Sequence, residues 1–164
     1  MLVLCLSFGI VLFDQLTKHF VEAQIPYGHH VPVIPACFRL SHVHNTGAAW
    51  GMLQGLNHWL VALSIVMLAV LIIFRRHFIT DSRLSKIAAG LIIGGIIGNL
   101  IDRLRNGHVV DFLDFYWGAH AFPAFNIADS AICVGVALYM IFQFRHHEGA
   151  GVDEDTQVGA LEEG

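Results

Sequence analysis

The stretch IAAGLIIGGIIGNLIDR, residues 87–103, decides the fold. From Ile87 to Ile101 it holds one polar side chain, Asn99. Such a run approaches the roughly 20 residues that a helix needs to cross a hydrocarbon layer about 30 Å thick. Gly90, Gly94 and Gly98 recur every fourth residue and share one helical face, with Asp102 next in the same register. Small residues at that spacing let helices approach closely in lipid. The face reads either as a packing stripe alone or as a device that also brings Asn99, Asp102 and Arg103, at i, i+3 and i+4, against neighbouring helices.

Three further apolar runs flank this one. Leu2 to Phe20 is interrupted by Asp14, Gln15 and Lys18; Trp59 to Phe74 has only Ser64 as a polar side chain; Ala128 to Phe144 opens on Asp129 and Ser130. With 55% hydrophobic residues, 13% charged residues and a mean hydropathy of +0.63, the chain falls outside the profile of a water-soluble domain. The expectation is a mainly α membrane protein of four transmembrane helices, forming a single domain over residues 1–147. No Lys or Arg precedes the first run and no small-residue cleavage site follows it, so it reads as a retained helix and not as a signal peptide.

The net charge of -4 is misleading, because Glu148, Asp153, Glu154, Asp155, Glu162 and Glu163 crowd into residues 148–164. That segment reads as a disordered acidic tail. The remainder has no large basic patch, which argues against nucleic acid as a partner. Cys5, Cys37 and Cys133 form neither an even set nor a CxxC spacing, so a disulfide framework is not expected.

Arg75, Arg76, Arg83 and Lys86 in one short link, together with Arg145 after the last run, orient the chain by the positive-inside rule. Both termini then face the cytoplasm. Two segments lie outside, at about 19–58 and about 104–127. The first carries Pro26, Pro32 and Pro35 and an alternating stretch from Cys37 to Val43, and reads as a small β-rich cap. The second contains FLDFYW, whose Tyr116 and Trp117 suit the headgroup level, and reads as a short interfacial helix. On this topology Asp14, Lys18, Asn99, Asp102, Arg103, Asp111 and Asp129 converge on one leaflet.

Asp111 and Asp129 stand out, since ionisable groups at the edge of hydrocarbon are costly and mark functional sites by default. Brought together, two carboxylates share one proton, and one serves as base while the other serves as acid. From pattern alone Asp129 is more readily a helix N-cap. A metal alternative rests on His42 and His44, which share one face of a predicted strand, with His29 and His30 not far away; no HExxH occurs, and neither a catalytic metal nor a cofactor is expected. Ser130, His108 and Asp111 can be written as a triad, but GxSxG is absent. Lys18, one turn after Asp14, pairs with it or reaches to the surface. A proton-coupled transporter or channel subunit, and a non-catalytic membrane adaptor, are the rival readings.

DQLTK at 14–18, NTGAAWG at 45–51, GGIIGNLIDR at 94–103, HVVDF at 108–112 and FPAFNIADS at 122–130 together resemble the successive signature blocks of the bacterial lipoprotein signal peptidases, signal peptidase II. The resemblance spans about residues 10–145. It implies an aspartic endopeptidase of the inner membrane that removes signal peptides from diacylglyceryl-modified prolipoproteins, just before the lipidated cysteine, at the outer face. By position it implies Asp111 and Asp129 as the catalytic pair, and Asp14, Lys18, Asn45, Gly47, Asn99, Asp102, Arg103, Asn126 and Ala128 as substrate-binding or supporting residues. Lipid-modified prolipoproteins and membrane lipids are then the expected partners, and a monomer the expected state.

Overall fold

The structure, a computed structural model, describes residues 1–47, 52–118 and 120–162, side chains beyond Arg145 excepted. Residues 48–51 of the NTGAAWG block lie outside the described residues. Helix α1 spans Leu2–Gln24, strands β1 and β2 span His30–Ile34 and Phe38–Asn45, and helices α2, α3 and α4 span Asn57–Ile73, Arg75–Phe78 and Arg83–Asn106. Strands β3 (Val109–Trp117) and β4 (His120–Ala121) precede α5, Ile127–Glu162.

Among the described residues three helices are long and apolar enough to cross a membrane: α1, α4 and the Ile127–Arg145 portion of α5. Helix α2 is as apolar but has 17 residues. The helices are inside out relative to a water-soluble bundle. On α1, Leu4, Phe8, Phe13, Leu16 and Phe20 are exposed, whereas Ser7, Asp14 and Lys18 are buried. That distribution is favourable only where apolar surface meets lipid.

Helix α4 is the centre of the bundle, packed between α1 and α5. Its glycines explain the fit. A side chain at Gly90 would meet Leu6, one at Gly94 would meet Ile10 and the Ser7 carbonyl, and one at Gly98 would meet the Asp14 carboxylate, all on α1. On the adjoining face, a Cβ at Gly95 would run into the Ala128 carbonyl and Ile132 of α5. The stripe therefore does both things considered for it: it packs helices, and it delivers Asn99, Asp102 and Arg103 to their neighbours. Helix α4 begins on a Ser82 hydroxyl cap and ends on Gly107 at φ 74°, a left-handed position that suits glycine.

The expected sheet is present but larger than the first outer segment alone. Four antiparallel strands run in the order β1-β2-β3-β4. Within 104–127, the stretch read as an interfacial helix is instead strand β3, paired with β2 from Phe38↔Phe115 to Asn45↔Val109. Its Val, Phe, Tyr and Trp residues favour a pleated, half-buried surface, and β2 satisfies its backbone. A bulge in β2 between Leu40 and Val43 re-aims the strand just before Asn45. Below the sheet, Val21 and Ile25 pack on Phe112 with Leu40, Leu113 and Ile127, which carries α1 past Phe20 to Gln24.

Gly95→Val is expected to force α4 and α5 apart. An overpacking cost of about 1–3 kcal/mol follows, read as a lower thermal unfolding midpoint of the purified protein in detergent.

Candidate active site

The site is built outward from one buried cation. The Lys18 ammonium lies 2.8 Å from Asp14 Oδ2 and 2.8 Å from Asp102 Oδ2, and donates to Asn99 Oδ1 at 3.1 Å. Its three N–H donors thus have three acceptors. The other oxygen of Asp14 accepts from the Ala128 backbone N–H at 2.9 Å. Asp102 accepts from Gln15 Nε2 at 2.8 Å and from the Val110 N–H at 3.3 Å. Asp14 is fully buried, so it braces α1 against α5 and is not open to a substrate. Lys18 is likewise enclosed and does not reach for the surface.

Asn99 carries this frame to the outer carboxylates, donating from Nδ2 to Asp129 Oδ1 at 2.7 Å. Its carbonyl oxygen also accepts from Asn126 Nδ2 at 3.2 Å, and the same Asn126 amide donates to Asp111 Oδ1 at 2.7 Å. From β2, Asn45 Nδ2 donates to the second Asp111 oxygen at 2.9 Å. Two carboxylates from different elements, a strand and a helix, are therefore linked through two asparagines.

The start of α5 corrects the N-cap reading of Asp129. Asn126 caps the helix: its side-chain oxygen accepts from the Asp129 N–H at 2.9 Å, and Asp129 Oδ2 accepts in return from the Asn126 N–H at 3.3 Å. This reciprocal pair is a capping box with Asp at its third helical position. It leaves Asp129 Oδ1 to Asn99.

Gly47 closes the other side. Its N–H donates to Asn45 Oδ1 at 2.9 Å, its carbonyl accepts from the Arg103 guanidinium at 3.1 Å, and a Cβ there would collide with the Met52 carbonyl. Among the described residues, the buried Arg103 Nε and Asn57 Oδ1 have no hydrogen-bond partner. Arg103 thus holds the loop after β2 and keeps an unused donor.

Burial first, and then the negative charge of Asp129, push the Asp111 carboxyl up to about 7; the amides of Asn45 and Asn126 and the charge of Lys18 pull the other way. Near neutral pH this carboxyl passes readily between acid and base. Such a pair can deprotonate a water and donate to a developing oxyanion.

The triad of Ser130, His108 and Asp111 is not assembled. Ser130 Oγ donates to the Asn126 carbonyl at 2.9 Å, and the His108 ring stacks on His44 at 3.7 Å between centroids. His44 itself is held below the usual imidazole range by desolvation, then by His108 and His42. Gln15 was not singled out from the sequence, although it lies inside DQLTK; it spans Asp102 and the Gly98 carbonyl at 2.8 and 3.2 Å.

Long apolar helices around a buried, hydrogen-bonded pair of aspartates define a membrane enzyme of the aspartic peptidase class. The chain belongs to the signal peptidase II family, whose model matches residues 6–145. It is 41% identical over 138 residues to the lipoprotein signal peptidase of Geobacter metallireducens, covering 82% of this chain and 85% of that one. With the lipoprotein signal peptidase of Nitratidesulfovibrio vulgaris it shares 43% identity over 148 residues, 88% of this chain and 90% of the relative. Two solved structures, each described as a bacterial membrane enzyme studied by the in meso method, share the fold. One is 34% identical with a TM-score of 0.81, covering 90% of both chains. The other is 36% identical with a TM-score of 0.74, covering 86% of this chain and 91% of that one.

The raised Asp111 value carries a sign for stability. The folded protein keeps a proton that the unfolded chain releases between 3.8 and about 7, so this contribution is full below 3.8 and is lost as pH rises through that window. Asp111→Asn removes it. The variant's thermal midpoint in detergent is expected to fall less between pH 4 and 7 than that of the unsubstituted protein.

Proposed function

We propose that this peptidase removes signal peptides from lipid-modified prolipoproteins, cutting N-terminal to the lipidated cysteine, with Asp111 and Asp129 as the catalytic pair. The observation that carries this reading is the joining of both carboxylates through Asn126 and Asn99, at the end of the bundle that meets the sheet. Water held between the two is deprotonated by the ionised member as it attacks the scissile carbonyl carbon. The protonated member donates to the carbonyl oxygen, giving a neutral tetrahedral diol. Collapse breaks the C–N bond as the proton taken from water passes to the leaving amine and one diol hydroxyl returns its proton to the aspartate that had donated, which restores the pair.

Asn45, Asn99 and Asn126 orient the carboxylates, while Lys18, Asp14, Asp102 and Ala128 brace the elements that carry them. Arg103 and Gly47 shape the approach for an extended substrate. Four crossings, with α2 as the shortest, put this end of the bundle at the outer face of the cytoplasmic membrane and both termini in the cytoplasm; the cationic link between α2 and α4 supports that orientation. The exposed Val31, Val33, Ile34, Trp117 and Phe122 suit a sheet resting at the lipid surface, where a diacylglyceryl group is within reach. Membership of a peptidase family removes the ground for the transporter reading.

Asp111→Asn and Asp129→Asn are each expected to slow cleavage at least about 100-fold. Asp114→Asn is expected to retain cleavage, because Asp114 lies on the same strand but is occupied with Arg39 and Ser41, each at 2.7 Å. Mass spectrometry of a purified diacylglyceryl-modified prolipoprotein, before and after incubation, reads all three. Normal rates in either dyad variant, with folding verified, rule the assignment out.

A further inference from the structure

Three imidazole rings, those of His42, His44 and His108, gather at the sheet. His42 Nε2 and His44 Nε2 lie 3.1 Å apart. His42 Nδ1 is fixed 2.7 Å from the Ile25 carbonyl. A carbonyl only accepts, so the proton of neutral His42 is on Nδ1, and its Nε2 lone pair accepts from His44 Nε2–H across the 3.1 Å contact. His44 is sandwiched between Tyr27 and His108, with centroid separations of 4.2 and 3.7 Å. Both imidazoles are therefore restrained before any ligand arrives.

We propose that His42 and His44 form a two-imidazole site for a late first-row divalent cation, with copper(II) bound most tightly. Imidazole nitrogens ligate such ions at about 2.0–2.1 Å. Two donors 3.1 Å apart then subtend an angle of about 100° at the metal, between square-planar and tetrahedral values. The pair already has chelate spacing, and the ion takes the place of the proton between the rings, His44 carrying its proton on Nδ1 in the bound state. The Ile25 carbonyl supplies the outer hydrogen bond that metal-binding histidines ordinarily make through their second nitrogen. Among the described residues no group of three or more His, Cys, Asp or Glu side chains is set to hold an ion, so the site proposed has two side-chain donors. Copper(II) stands highest in the affinity order for nitrogen sites of this kind. Because Asn45 directly follows His44, an ion here stiffens the strand that supplies the Asn45 amide to Asp111.

The test uses the full chain in detergent with one equivalent of copper(II), read by electron paramagnetic resonance and electron spin-echo modulation. The unsubstituted protein is expected to give a signal from two imidazoles. His44→Phe, which keeps a ring between Tyr27 and His108, is expected to lose that signal and at least tenfold in copper affinity. The double variant His29→Gln, His30→Gln keeps both. A two-imidazole signal that survives His44→Phe, or that vanishes in the double variant, overturns the assignment, as does its absence from the unsubstituted protein. A second reading needs no substitution: zinc(II) is expected to slow acylation of His44 by diethyl pyrocarbonate, scored by peptide mass spectrometry. Unchanged acylation with zinc(II) present also overturns it.

Discussion

A single ammonium group, that of Lys18, sets the terms for the polar interior of this bundle. It is almost wholly removed from solvent among apolar helices, where an unpaired charge is not tolerable. Its acceptors come from α1 and α4, and those acceptors in turn hold Ala128 of α5 and Val110 of β3. Four elements are thus tied to one cation. Removing a partner from such a network leaves an uncompensated charge at a cost of roughly 3–5 kcal/mol, so the helices must meet at this level or not be stable. Close packing allows them to do so: Gly98 is small enough for the Asp14 carboxylate to sit against α4.

The carboxylate pair is reached from this network through neutral amides and not through further charges. That choice has a chemical consequence. A lysine or arginine directly on Asp111 would hold it ionised, as nearby cations hold surface carboxylates. Asparagine donates to the charged form without adding charge, so the carboxyl keeps its place while burial and Asp129 still move its ionisation toward neutrality. The amides that fix its position lower its proton affinity, and burial and Asp129 outweigh them. Asn126 does this at both carboxylates at once, because its amide nitrogen serves Asp111 while its oxygen and backbone N–H complete the capping box with Asp129.

The long helices, the glycine stripe and the hairpin near Cys37 to Val43 were legible because each depends on local periodicity. Strand β3 was not. FLDFYW carries the aromatic content of an interfacial segment, and the fact that makes it a strand is a partner more than sixty residues earlier in the chain, which no local pattern contains. Local pattern leaves the cap of α5 open for a related reason: both Asn126 and Asp129 are good cap residues, and which one ends the turn depends on the path from Phe125, itself bridged to Leu113. Lys18 could be paired with Asp14 from their spacing. Its second partner, Asp102, becomes visible only when α1 and α4 are side by side.

The placement of the two aspartates on separate bodies makes the sheet part of the site. Asp129 belongs to the helical bundle, where the Asn99 contact fixes it. Asp111 belongs to β3, inside the sheet and bonded on one side by Asn45 of β2. The sheet is fastened to the bundle by the apolar contacts of Val21 and Ile25 with Phe112, by the Val110 N–H on Asp102, and by Arg103 on the Gly47 carbonyl. Any sliding of the sheet against the helices therefore changes the separation of the two carboxylates directly. Two of these fastenings flank Asp111 in the chain, with Val110 and Phe112 as its immediate neighbours. The geometry of the pair is consequently held by the same short stretch of strand that supplies one of its members.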